Sequence, residues 1–190
     1  MQTKHIDYLS KWMRMASQHT SLTTAQQRSL IDCFCLEKHS DKEVWLKEGQ
    51  ECKRVGILYS GLYKCIGKDK RGHSQLKDLF FNPYNPMVAD WDSYTTRLPS
   101  QNKIVSAGDS EILCIRSHQI ESLSQEHVPV LNLFQLLIHN SDKARMKLIE
   151  SYWSLKCRKR KLKFAEDYPE VFKHLTNKEC CQFLWISKNS

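Results

Sequence analysis

Four groups of residues could do chemistry by type and spacing. Asp90 and Asp92 offer two nearby carboxylates, as general acid–base work requires. Two positions apart on a helix, however, they do not share a face. The eight cysteines (33, 35, 52, 65, 114, 157, 180 and 181) offer thiolates, but the spacings "CFC" and "CC" are poor for zinc, and no CxxC pair meets a second one. The eight histidines are scattered singly, and no H-E-x-x-H, G-x-S-x-G or P-loop pattern occurs. An enzyme is therefore not expected, nor a metal or other cofactor. The fourth group is "KCRKRKLK" at 156–163, with six basic residues in eight. Its chemistry is the binding of polyanions, nucleic acid foremost; the plainer alternative is a solvated helix face.

The location of the charge sharpens that reading. The formal net charge is +8; residues 1–142 hold 17 Lys/Arg against 16 Asp/Glu, and residues 143–190 hold 12 against 5. A nearly neutral body thus carries a basic C-terminal quarter. With 41% apolar and 26% charged residues, a globular core is expected. No apolar run is long enough for a membrane span, and "MQTKHIDYLSKWMRMASQHT" lacks the apolar core of an export signal. A cytoplasmic protein with reduced cysteines and no membrane partner is expected.

These groups need elements to position them. The periodicity predicts helices over 3–17 and 23–36, the second entered through a Thr23–Thr24 hydroxyl cap. From 43 to 117 the texture is β-rich: "EVWLKEG", "RVGILYSGLYKCIG", "QLKDLFF", "NKIVSAG" and "EILCIR", separated by turn signals. "DKRGH" reads as a hairpin loop with Gly72 at positive φ. Several short strands at this spacing imply a sandwich, roll or barrel. From Val128 to about Phe164 Leu133, Leu137, Ala144, Leu148, Tyr152 and Leu155 recur at helical steps, interrupted near Ser141. A helix that long beside one small roll should find a partner helix, often in a second copy; a core helix kinked near His139–Asp142 is the alternative. Pro169 should end it, with a short helix starting at Glu170.

This order of elements resembles the Crp/Fnr family of transcription regulators, in a short form. "WLKEGQECKRVGILYSGLYKCIGKDKRG" is similar to the family's segment leading to its Ser-Gly turn, "FFNPYNPMVADWDSYTTRLPSQNKIVSAGDSEILCI" to its effector-pocket segment, and "KFAEDYPEVFKHLTNKECCQFLWIS" to its link into the DNA-binding unit. The resemblance implies an α+β fold: N-terminal helices with a cyclic-nucleotide-binding-like antiparallel β-roll (1–128), a long dimerisation helix (129–165) and an incomplete helix-turn-helix (166–190). It also implies an effector pocket. Members that bind cyclic AMP carry a Gly-Glu pair and an Arg-Ser/Thr pair that hold the ribose and the cyclic phosphate. Here those positions fall on Ala89 and Asp90, and on Gln101 and Asn102. Gln101 has no cationic fork, so a buried phosphate forgoes a charge-assisted bond worth roughly 1.5–3 kcal/mol. Cyclic-nucleotide binding is therefore expected to be lost, with Pro83, Pro86 and Trp91 filling part of the pocket and any small-molecule effector unidentified.

In the helix-turn-helix register Cys181 takes the small position and Trp185 the position of the left-handed glycine. Ser187 would cap the recognition helix, but only Lys188, Asn189 and Ser190 follow. The expectations are then a homodimer through Leu137, Ala144, Leu148, Tyr152 and Leu155, and DNA phosphate contacts from Arg158, Lys159, Arg160, Lys161, Lys163, Lys178 and Lys188. DNA binding should be weak and sequence-tolerant. A dimeric ligand-sensing or protein-interaction module that does not bind DNA stays open beside it.

Overall fold

The computed structural model describes residues 1–16 and 21–186, so Ser187 and Lys188 lie outside the described residues. Helices α1 (Thr3–Ala16) and α2 (Thr24–Asp32) open the chain. The Thr23 hydroxyl accepts from the Gln26 backbone N–H at 3.3 Å, and the Gln26 side-chain Oε1 accepts from the Thr23 backbone N–H at 2.9 Å. This reciprocal cap satisfies two donors that a helix start otherwise leaves open. The helix ends sooner than its periodicity suggests. Cys35–His39 is strand β1 instead, paired antiparallel with β8 (Ser110–Arg116) from Cys35↔Cys114 to His39↔Ser110. A ladder against a buried strand outweighs the helical preference of a short segment.

The remaining strands are β2 (Val44–Leu46), β3 (Arg54–Ser60), β4 (Leu62–Lys68), β5 (Ser74–Phe81), β6 (Met87–Val88) and β7 (Lys103–Ser106). They form two four-stranded antiparallel sheets, ordered β1-β8-β3-β6 and β2-β7-β4-β5. In the loop joining β4 to β5, Gly72 has φ 80° and Asp69 accepts from the N–H groups of Arg71 and His73 at 2.8 and 2.9 Å. The side chains of β4 and β5 alternate between two cores. Tyr63, Cys65 and Phe80 join the cluster between the sheets and the N-terminal helices, whereas Leu62, Phe81 and Leu76 face a second cluster.

That second cluster is roofed by the C-terminal helices. Helix α5 runs from Val128 to Trp153, and Val130, Leu133, Phe134 and Leu137 of its first half are buried in the roll's core. Leu148 and Tyr152 of its second half join Phe164, Val171, Cys180 and Phe183 against Leu62, Leu79 and Phe81. The long helix expected to reach Phe164 is two helices. A break at 154–156 separates α5 from α6 (Cys157–Asp167). Arg160 stabilises the break: its Nε donates to the Leu155 carbonyl at 2.8 Å and its Nη2 to the Trp153 carbonyl at 2.9 Å. A guanidinium thus satisfies carbonyls that the end of α5 leaves open.

Helices α7 (Pro169–Lys173) and α8 (Asn177–Phe183) follow. Pro169 starts α7, where its missing N–H costs nothing. Thr176 and Glu179 form the capping box of α8. After α8 the Ile186 N–H reaches the Cys181 carbonyl at 2.9 Å and the Trp185 N–H the Gln182 carbonyl at 3.3 Å. Trp185 stands at φ 54°, so the residue in the glycine position of the turn does adopt the left-handed conformation. No helix among the described residues is long and apolar enough to cross a membrane.

Candidate effector pocket and basic face

A cavity of about 520 Å³ opens between the second sheet and helix α3 (Trp91–Thr96), lined among others by Glu48, Lys68, Lys77, Asp90, Gln101 and Asn102. Asp90 is its centre. One carboxylate oxygen caps α3, accepting from the Ser93 N–H at 3.2 Å. The other accepts from the Ser100 hydroxyl at 2.5 Å and from the Asn102 side-chain amide at 3.0 Å. The carboxylate is buried, and these three donors occupy it within the chain. Asn102 can lie this close because β4 offers Gly67, where a Cβ would stand 2.3 Å from the Asn102 side-chain oxygen.

The pocket's cations are committed as well. Lys68 donates to Glu48 Oε1 at 2.7 Å, and Lys77 to Gln75 Oε1 at 2.9 Å. Gln101 lines the pocket and is exposed. Ala89 is buried in the roll's core, outside the cavity lining. The expectation that Trp91, Pro83 and Pro86 fill the pocket is corrected by the structure. Trp91 packs on the roll's core with its ring edge-on to Tyr94 at 5.7 Å, and Pro86 lines a separate cleft with Trp12 and Leu137. Pro83 does not line the pocket either. The Asp90–Ser100–Asn102 arrangement, and the acids and lysines around it, were not foreseen. The one signal for it was Asp90 at N-cap spacing before a short helix.

The apolar stripe of α5 is also corrected. Leu137, Leu148 and Tyr152 are buried against this chain's own roll and C-terminal helices, and Leu155 sits in the break beside them. Ala144 is half-buried, against the Pro86 cleft. Periodicity marks which face of a helix is apolar, not what covers it. The outer side of α5 carries a second row: Leu131, Ile138, Met146, Ile149 and Trp153, all exposed or half-exposed.

The basic residues fall into two sets. Arg160 is consumed by the carbonyls at the end of α5. Lys163 pairs with Asp167 at 2.6 Å, which raises its pKa and, with the Tyr152 hydroxyl, lowers that of Asp167. Lys161 donates to the Asn177 side chain at 2.6 Å and lies over the Phe172 ring. Arg158, Lys159 and Lys178 are exposed, on α6 and α8. Two polar contacts tie this unit to the roll: Lys64 to Glu179 at 2.8 Å, and the Leu76 N–H to the Gln182 side chain at 3.0 Å. Higher on α5, Arg145 stands 3.7 Å from Asp78 of β5, and Ser141 donates to Asn85 at 2.8 Å.

No protein-family model matches this sequence, and no curated protein does. Solved structures do. The chain is similar to a protein described as a Crp/Fnr-family transcriptional regulator from Eubacterium rectale, at 17% identity and a TM-score of 0.63, over 86% of this chain and 77% of that one. It is also similar to a cyclic nucleotide-binding domain from Methylobacillus flagellatus, at 11% identity and a TM-score of 0.61, over 92% and 86%. A third is the regulatory subunit of a cAMP-independent protein kinase A from Trypanosoma cruzi bound to guanosine, at 15% identity and a TM-score of 0.53, over 69% of this chain and 45% of that one. The architecture is therefore that of the cyclic-nucleotide-binding roll as Crp/Fnr regulators carry it.

Proposed function

We propose that this chain is a Crp/Fnr-type transcription regulator whose roll no longer takes a cyclic nucleotide. The observation that carries the reading is the α8 turn. A capped helix, a left-handed Trp185 and the adjacent basic α6 reproduce the start of a helix-turn-helix, docked on a cyclic-nucleotide-binding roll. Asp90 supports the second half. Its carboxylate already holds the donors that a ligand phosphate would need, and Gln101 brings no positive charge to offset a second anion. An uncharged, hydroxyl-bearing ligand suits such a pocket better; the Trypanosoma cruzi neighbour, bound to guanosine, is a precedent for a nucleoside without phosphate.

Assembly follows from α5. Its inner face is taken, so a homodimer would use the outer row from Leu131 to Trp153, a seam about 33 Å long at 1.5 Å per residue. DNA affinity would come from Arg158, Lys159 and Lys178, which contact phosphates. No described residue is assigned to base reading. Anisotropy titrations of a duplex from the gene's own upstream region and of a scrambled duplex, at several salt concentrations, test this. The expected result is binding that falls steeply with salt, by roughly 0.9 log units per log unit of salt for each phosphate contact, with little preference between duplexes. No binding at low salt would sink the DNA reading. It would leave the alternative, a dimeric sensing or interaction module.

A further inference from the structure

Helix α4 (Ser117–Glu126) follows directly on β8. The positive end of a helix favours acids in its first turn. The first turn of α4 carries none, and its N-cap residue, Arg116, supplies no side-chain cap hydrogen bond. The Ser117 N–H is taken by the Lys53 carbonyl at 2.8 Å; the N–H groups that follow have no partner within the helix. Ser117 and His118 line a cleft of about 750 Å³ with the buried side chains of Trp45 and Leu46 beneath it. All of its lining residues fall between Trp45 and Glu121.

A second feature points to a ligand. Ser117 is only 5% exposed, yet its hydroxyl has no hydrogen-bond partner among the described residues and is not enclosed, so it opens into the cleft. The charges around it leave a cationic remainder. The lining holds four Lys/Arg and two Glu. Arg97 takes Glu121 and stands 3.7 Å from Glu51, which also pairs with Lys53 at 3.2 Å. Arg54 is held at 2.8 Å by Glu37, outside the cleft. Arg116 is exposed and has no acidic partner among the described residues.

We propose that the start of α4 is a binding site for the phosphate group of a small molecule. A phosphate dianion has three terminal oxygens, enough to take the Ser117 hydroxyl, the helix start and the Arg116 guanidinium together. Trp45 and Leu46 give an organic body an apolar surface, and the cleft has the size of a small-molecule site. The site shares no residue with the Asp90 cavity or with Arg158, Lys159 and Lys178, so it stands apart from both the effector and the DNA readings.

The test titrates the full chain, isotopically labelled, in phosphate-free buffer at pH 7.5 and constant ionic strength. The probes are phenyl phosphate, inorganic phosphate and phenol, and the readout is the amide shifts of Ser117, His118 and Gln119. Phenyl phosphate should bind with a dissociation constant of about 1 mM or below, and phenol at least about tenfold more weakly. Inorganic phosphate equal to phenyl phosphate would assign the site to the free anion; weaker binding would assign it to a monoester. Both support the proposal. Arg116→Gln, at an exposed position, should weaken phenyl phosphate about tenfold or more, and Ser117→Ala about fivefold. Circular dichroism controls the fold of each variant. Absence of phenyl phosphate binding, equal binding of phenol, or binding indifferent to Arg116→Gln would overturn the proposal. So would loss of DNA affinity in Arg116→Gln, which would give the cleft to a duplex instead.

Discussion

The Lys64 ammonium on β4 donates to the Glu179 carboxylate on α8 at 2.8 Å, and both side chains are mostly buried. This pair fastens α8 to the sheet that also walls the Asp90 cavity. Glu179 does a second job, accepting from the Thr176 N–H at 2.8 Å as part of the α8 capping box. One carboxylate therefore holds both the start of α8 and its seat on the roll.

Glu179→Gln should destabilise the fold by about 1–3 kcal/mol, less than a fully buried pair because some solvent reaches both groups. Burial pushes the Glu179 carboxyl up, but Lys64 and the Thr176 donors outweigh it and hold it below its ordinary value. A depressed carboxyl contributes stability above its unfolded pKa and loses it as pH falls through the lower, folded pKa. Urea melts at pH 7 and near pH 3 should therefore show the gap between parent and variant closing in acid.

Asp78 has the opposite sign. Burial raises its pKa to about 6, and Arg145 only partly opposes this. The folded state holds the proton more tightly than the unfolded chain, so the group costs stability as pH rises from about 4 towards 6. Asp78→Asn should stabilise the protein by about 2 kcal/mol at pH 8 and by little at pH 4. Chemical denaturation at the two pH values checks this. A loss of stability at pH 8 would mean that the Arg145 contact outweighs desolvation.

Trp185→Gly should raise stability by about 0.5–1 kcal/mol. The left-handed backbone at φ 54° strains a bulky residue, and the indole is mostly in solvent. Thermal melts give the readout, and a lowered midpoint would show that the ring packs on something of consequence.

Met146→Asp and Leu148→Asp should separate assembly from folding. Met146 is 43% exposed on the outer row of α5, so a charge there should dissociate a dimer and leave the fold intact. Leu148 is 9% exposed in the second core, and a charge there should unfold the C-terminal unit. Light scattering with circular dichroism distinguishes the two. A parent protein that is monomeric at micromolar concentration would end the dimer reading.

Much of this fold was legible residue by residue. Thr23 as a cap, Gly72 at positive φ and the β-rich stretch from 43 to 117 all carry local signals, whereas the turn at Trp185 was placed only by the helix-turn-helix register, since a Trp itself disfavours the left-handed backbone. The break before α6 was not legible, because Ser154-Leu155-Lys156 contains no glycine or proline; the side chain that stabilises it, Arg160, follows in the next helix. Strand β1 was hidden because its preference comes from pairing with β8, far away in sequence. The pocket residues Asp90 and Asn102 were found by register, but not their bond to each other, which depends on β7 approaching α3. The inner stripe of α5 was read correctly as apolar and assigned to the wrong partner.

The proposed exclusion of cyclic nucleotides rests on the neutral Gln101 at the expected phosphate-binding position and on Asp90 already engaging the donors of Ser100 and Asn102 beside it. Isothermal calorimetry of the purified protein with cyclic AMP and cyclic GMP reads this directly. With Asp90 bonded to Ser93, Ser100 and Asn102, and Gln101 neutral, neither nucleotide should give a micromolar isotherm at pH 7. A clear micromolar isotherm for either would contradict the assignment, since the phosphate would then be held by groups that the Asp90 network leaves free.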